Sequence, residues 1–118
     1  LQAALSNTTG CYNTAVGNDA LGNNTASSNT AVGDSALCCN TTGCFNAAHG
    51  NNALRINTTG GCNAAFGMGA LCGNTTGNSN TAVGFYALNE NSTGIQNTAV
   101  GMQAALSITT GCYNTAVG

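Results

Sequence analysis

Small polar residues and short apolar runs alternate along this chain on a fixed beat. The tripeptide ending in glycine recurs as Ala15-Val16-Gly17, Ala31-Val32-Gly33, Ala48-His49-Gly50, Ala65-Phe66-Gly67, Ala82-Val83-Gly84, Ala99-Val100-Gly101 and Ala116-Val117-Gly118. Gly17 and Gly33 stand one place closer together than every later pair, whose spacing is constant. A full unit reads N-T-A-V-G-x-x-A-L-x-x-N-T-T-G-x-x, and units begin at 13, 29, 46, 63, 80, 97 and 114, so residues 1–118 form a single repeat array. Only the unit 13–28 is short, by one residue, where the others carry T-T-G.

A fixed period overrides local readings, and 17 residues is too short for a helix–turn–helix repeat but close to one coil of a β-solenoid. N-T-A-V-G reads as a short extended run bounded by Asn and Gly, and A-L as the start of a second. N-T-T-G and the G-x-x steps supply turns, with glycine available where φ must be positive. Gly and Asn recur too often for helix, and i, i+3, i+4 apolar spacing never persists. The predicted fold is all-β: a parallel β-solenoid, or β-roll, of about seven coils with 17 residues and two short strands each. At about 4.8 Å per coil the array should be roughly 30–35 Å long.

Comparison of the copies shows which columns are constrained. Asn13, Asn29, Asn46, Asn63, Asn80, Asn97 and Asn114 never vary, nor do the Ala and Gly two and four places on. A period of two puts these on one face. Leu21, Leu37, Leu54, Leu71 and Leu88 form another column, with Leu106 displaced by one place, whereas the Val column admits His49 and Phe66. A narrow interior tolerates no enlargement, so Asn, Ala, Gly and Leu are expected inside. The alternative is Val inside.

A longer period lies above the unit. Residues 1–17 and 102–118 match at 15 of 17 positions, an offset of 101 residues or six units. Neither end carries the atypical polar repeat that closes a finite solenoid, so the array is expected to be part of, or to polymerise as, something longer.

Composition fits stacked coils rather than an ordinary core. Asn, Ala, Thr and Gly supply 72 of the 118 residues, and Leu, Ile, Val and Phe only 19. One basic and three acidic residues give a net charge of −2, so nothing self-repels as a disordered chain would. One His, one Arg and no Lys argue against acid–base or nucleophilic catalysis and leave a polyanion no footprint. No enzyme activity, cofactor, metal or nucleic-acid partner is expected. No apolar run reaches the roughly 18–20 residues that span a bilayer and no signal peptide opens the chain, so no membrane insertion is expected and any export signal or anchor should lie outside this segment.

The N-T-A-V-G-x-x-A-L unit with its N-T-T-G link resembles the head repeats of trimeric autotransporter adhesins and the adhesin-head-like repeats of phage and virus fibres. That resemblance implies a left-handed parallel β-roll, commonly trimeric, that displays or extends an adhesive surface. The unit departs from it in being longer, and in its abundant Cys.

Three sets of residues are candidates for chemistry. N-x-[ST] sequons at Asn7, Asn23, Asn40, Asn57, Asn74 and Asn91 would form one row along a turn, as glycan acceptors or simply as good turn residues. Cys11, Cys38, Cys39, Cys44, Cys62, Cys72 and Cys112 match no metal-ligand spacing and are candidates for disulfides, or for free thiols in a reducing compartment. Columns two coils apart are separated by about 10 Å, which disfavours Cys38–Cys72 and Cys11–Cys44 but leaves Cys44–Cys62, Cys39–Cys44 and links between chains. The third set is the Asn column beginning at Asn13. Gly33-Asp34-Ser35-Ala36-Leu37 is the ordinary G-x-x-A-L step rather than a hydrolase motif. His49 has no carboxylate partner evident in the sequence. Phe45, Phe66, Phe85 and Tyr86 are scattered across units and form no distinct cluster.

The leading reading is a structural protomer of an extracellular, cell-surface or virion fibre whose partner is itself, as polymer or oligomer, including a trimer. The alternatives are an adhesin binding a receptor or glycan and an ice-binding solenoid. The last would favour T-x-T pairs, and N-T-T in an extended backbone sends neighbouring threonines to opposite faces.

Overall fold

A computed structural model describes residues 2–118; Leu1, and with it the first position of the matching terminal segments, lies outside them. Seven strands, β1 (Thr14–Val16), β2 (Thr30–Val32), β3 (Ala47–His49), β4 (Ala64–Phe66), β5 (Thr81–Val83), β6 (Thr98–Val100) and β7 (Thr115–Val117), pair in chain order in one parallel sheet. Register follows the repeat: Ala15 pairs with Ala31, Ala31 with Ala48, and so on to Ala99 with Ala116. The fold is thus an all-β solenoid, and its seven strands bound six full turns. Its principal extents are 37 × 21 × 17 Å, as expected of coils stacked about 4.8 Å apart. None of the described residues forms a helix long and apolar enough to cross a membrane.

The second strand expected at A-L is not there. Each G-x-x-A-L-x step is a turn in which left-handed residues alternate with right-handed ones, as at Ser35 (φ 57°) and Leu37 (φ 52°). Backbone donors alternate accordingly. Ala36 N–H and Cys38 N–H close turns onto Gly33 O and Ser35 O, while Ser35 N–H reaches Asn18 O at 2.9 Å and Leu37 N–H reaches Ala53 O at 3.1 Å in neighbouring coils. The segment therefore satisfies its backbone between coils, as a strand would, without being extended. A left-handed Leu costs roughly 1–2 kcal/mol, offset here by complete burial of its side chain.

The inward assignment of Asn, Ala and Leu is correct, whereas the glycines that end the strands are half-buried or, at Gly17 and Gly118, exposed. Ala31, Ala48, Ala65, Ala82 and Ala99 from the strands, and Leu21, Leu37, Leu54, Leu71 and Leu88 from the turns, are fully buried. Val16, Val83, Val100 and Val117 are exposed, which settles the alternative against Val. Ala105, not Leu106, takes the left-handed Leu position in the last coil (φ 52°), and Leu106 is half-buried beside it. The glycine ending each strand is needed twice over: Gly50 has φ 137°, and a Cβ there would sit 2.6 Å from the carbonyl carbon and oxygen of Gly67 in the next coil.

Candidate functional site

Two asparagine ladders run inside the array and take up the candidate residues first. In the N-T-A-V-G column, the Oδ1 of Asn29, Asn46, Asn63, Asn80 and Asn97 each accepts the backbone N–H of the next Asn at 2.9–3.0 Å. Their Nδ2 groups donate to the T-T-G glycine carbonyls Gly43, Gly60, Gly77, Gly94 and Gly111. Asn13 opens this ladder, with its Oδ1 accepting the Asn29 N–H at 2.9 Å.

The second ladder is built from the sequon column. Asn40 Nδ2 donates to Asn24 Oδ1, Asn57 to Asn40, Asn74 to Asn57 and Asn91 to Asn74, all within 2.6–2.8 Å. The same nitrogens also donate to Gly43, Gly60, Gly77 and Gly94 carbonyls. Asn40, Asn57, Asn74 and Asn91 are 0% exposed. The amide nitrogen that a glycan would occupy is inside the coil, so this fold and a glycan at those four positions exclude one another. That corrects the reading of the column as a surface row. In the short unit the ladder residue is Asn24 rather than the sequon's Asn23, which is exposed with its Nδ2 on Cys38 O at 3.0 Å. Asn7 is half-buried and folds its Nδ2 onto Gly10 O.

At the far end this ladder stops. Ile108 stands where an Asn would continue it, and Asn91 Oδ1 is left buried without a donor. Ile108→Asn should bring Nδ2 onto Asn91 Oδ1 and the Gly111 carbonyl and raise the unfolding free energy by about 1 kcal/mol. Urea unfolding of the two chains decides it; an unchanged or lower midpoint would mean that the lost apolar contact of Ile108 outweighs the bond.

The cysteines fall into two groups, and within the chain neither Cys44–Cys62 nor Cys39–Cys44 is bridged: all seven are free thiols. Cys38, Cys39 and Cys72 belong to the A-L turn. Cys38 Sγ lies 3.5 Å from Cys39 Sγ and 3.5 Å from the Arg55 carbonyl oxygen. Burial, then the hydrogen bond and charge of Cys39, push the Cys38 thiol up to about 12; burial also raises Cys72. Thiols held protonated in this way are poor nucleophiles. Cys38 and Cys72 share a column two coils apart with Arg55 between them, beyond bridging distance. The second group, Cys11, Cys44, Cys62 and Cys112, lies on the corner that leads into each strand; Cys11, Cys62 and Cys112 are exposed and Cys44 is half-buried. Among the described residues no three His, Cys, Asp or Glu side chains converge as metal ligands.

Stacking brings His49 and Phe66 together from adjacent units, whereas Phe85 and Tyr86 are neighbours in the chain. His49 and Phe66 stack with centroids 4.8 Å apart and planes at 11°, and Phe85 meets Tyr86 edge-on at 4.3 Å. Phe66, Val83 and Val100 in one column, with Met68, Phe85 and Met102 in the column just past the glycine, make an exposed apolar stripe over the later coils. In the earlier coils that second column is polar, with Asn18 Nδ2 donating to Asp34 Oδ1 at 3.0 Å. His49 Nδ1 is buried without a partner. The threonine pairs also differ from expectation. N-T-T is a turn, so Thr41 and Thr42 are both exposed, and Thr25, Thr41, Thr58 and Thr75 spend their hydroxyls on carbonyls of the next coil, as Thr41 Oγ1 does on Thr58 O at 3.0 Å, a place taken in the first turn by Thr9. No pocket opens among the described residues. The chain matches no family model, no curated protein and no solved structure.

Proposed function

We propose that this chain is a structural repeat protein that builds an extracellular or virion fibre, its coils continuing end to end through further copies of the same coil. The observation that carries the reading is translational: the coil 102–118 presents the groups that interior coils use for stacking. Val16 O accepts Gly33 N–H at 2.7 Å and Thr14 N–H donates to Asn29 O at 2.9 Å. Val117 O and Thr115 N–H hold the same places on β7, the outer strand of the last pairing. Asn114 Oδ1 can likewise receive the next Asn N–H. Near-absence of charge lets blocks approach without repulsion, and the match of 1–17 to 102–118 keeps the unit in phase. The protein is a scaffold and not an enzyme in this reading.

Electron microscopy with diffraction on the native material tests it. Continuous filaments with an axial repeat of six coils, about 28–29 Å, are expected. Discrete short rods, or a repeat unrelated to six coils, would overturn it. A second reading, adhesion to a receptor or glycan, rests on the stripe formed by Phe66, Met68, Phe85 and Met102. The ice-binding reading loses support from the threonine rows, which bend over a turn with half their hydroxyls engaged.

A further inference from the structure

We propose that the corner bearing Cys11-Tyr12, Cys44-Phe45, Cys62 and Cys112-Tyr113 is a lateral interface with a second copy of this chain, closed by disulfides between identical cysteines. The proposal concerns the sides of the array and holds whether or not coils continue end to end.

The corner is built the same way in each coil. Its outer residue is left-handed, at φ 59° for Tyr12, 61° for Phe45, 59° for Cys62 and 59° for Tyr113. Its backbone is tied to the neighbouring coil, as in Ser28 N–H to Cys11 O (2.9 Å), Cys62 N–H to Cys44 O (3.0 Å) and Tyr113 N–H to Ile95 O (3.1 Å). Ser28, Ser79 and Gln96 occupy this place elsewhere, as suits a corner facing water. Tyr12, Phe45 and Tyr113 do not suit it: they are bulky, in a conformation bulky residues avoid, and 90%, 68% and 74% exposed. The folded chain leaves most of each of these residues uncovered, and contact outside it would account for their place.

The thiols point the same way. Cys11 is two coils from Cys44 and Cys112 three coils from Cys62, about 10 and 14 Å, past the roughly 7 Å limit for a bridge. A two-fold axis along the solenoid keeps every coil at its own height, so each corner residue meets its own copy. Such an arrangement forbids charge, because like would face like. Asp19, Asp34, Arg55, Glu90 and His49 all lie off these two columns. The corner runs about 30 Å and is roughly 10 Å wide, on the order of 300 Å² per copy, well below the roughly 800 Å² of a stable interface. Rings alone would hold the pair weakly, and the sulfur bonds supply what area does not.

The oxidant required is a low-molecular-weight disulfide. A Cys11 thiolate, its proton released to solvent, attacks oxidised glutathione and expels one glutathione thiolate. The Cys11 thiolate of the second copy then attacks the protein sulfur of that mixed disulfide and expels the other. Two protein thiols are oxidised and one glutathione disulfide is reduced.

The test uses the 118-residue chain, reduced and then exposed to oxidised glutathione at neutral pH, with non-reducing electrophoresis and mapping of linked peptides. Expected are dimers joined Cys11 to Cys11 and Cys112 to Cys112. C11S, C44S, C62S and C112S together should cut dimer yield about tenfold, while C38S with C72S leaves it unchanged. Y12S with Y113S should slow dimer formation several-fold without changing the rate at which a monofunctional alkylating reagent takes Cys11. Monomer carrying glutathione at Cys11 and Cys112, mixed linkages in statistical ratio, or dimers indifferent to the tyrosines would each overturn the proposal. Filament formation is scored separately on the reduced chain, so its failure bears on end-to-end stacking alone.

Discussion

Gly50→Ala is expected to lower the unfolding free energy by about 4 kcal/mol, combining left-handed strain of roughly 1–3 kcal/mol with an overpacking cost of similar size. The new methyl would lie 2.6 Å from the carbonyl carbon and oxygen of Gly67 and 3.0 Å from Met68 N. That backbone cannot retreat cheaply, because Gly67 N–H is bonded to His49 O at 2.8 Å and Gly67 itself abuts Gly84 in the same way. A shift in one coil is thus passed to the next. Gly61→Ala is the control: its nearest neighbour is Cys44 O at 3.0 Å and its φ is not left-handed, so about 1 kcal/mol or less is expected. Denaturant unfolding of both variants is the measurement. Equal losses, or a loss under about 1 kcal/mol for Gly50→Ala, would show that the coils yield where rigid stacking says they cannot.

Period, parallel register and the inward Asn13 column were legible because seven copies in one chain let constrained positions be compared without any other sequence. Asn40, Asn57, Asn74 and Asn91 are as invariant as Asn46, Asn63, Asn80 and Asn97, yet the N-x-T pattern drew them to the surface. Thr and Gly in the N-T-T-G turn repeat as closely as its Asn, with Ser92 the one change among those four copies, so the copies do not separate a buried ladder from a surface acceptor and only stacking does. Leu37 and its equivalents were read as strand because leucine rarely adopts φ near 50°; only the inter-coil bonds on either side make that conformation economical. The apolar stripe was illegible for a geometric reason. Phe85 follows Phe66 by one period and two further places, and only stacking turns that offset into adjacent columns of adjacent coils.

At neutral pH, Asn74→Asp should destabilise the array by about 4 kcal/mol, the order found when a buried charge is left without its partner. Asn74 Nδ2 donates to Asn57 Oδ1 at 2.7 Å and to Gly77 O at 3.0 Å, and a carboxylate oxygen in its place would face two acceptors. Only the Asn91 Nδ2 would remain as a donor to the group, on the other oxygen at 2.8 Å. Burial among acceptors raises the folded-state pKa of the new acid above its unfolded value of about 3.9. Below about pH 3.9 both states are protonated, the acid's O–H can serve Asn57 Oδ1 or Gly77 O, and most of the loss is absent. As pH rises from there to the folded-state pKa, the unfolded chain releases its proton first and stability falls by about 1.4 kcal/mol per unit. Above the folded-state pKa the loss is constant. Asn23→Asp, at the exposed sequon of the short unit, should cost less than about 1 kcal/mol at any pH. Urea unfolding at pH 3 and pH 7 separates these behaviours. An Asn74→Asp chain whose deficit against the parent is the same at both pH values would mean that the site admits water, and that the second ladder is not sealed.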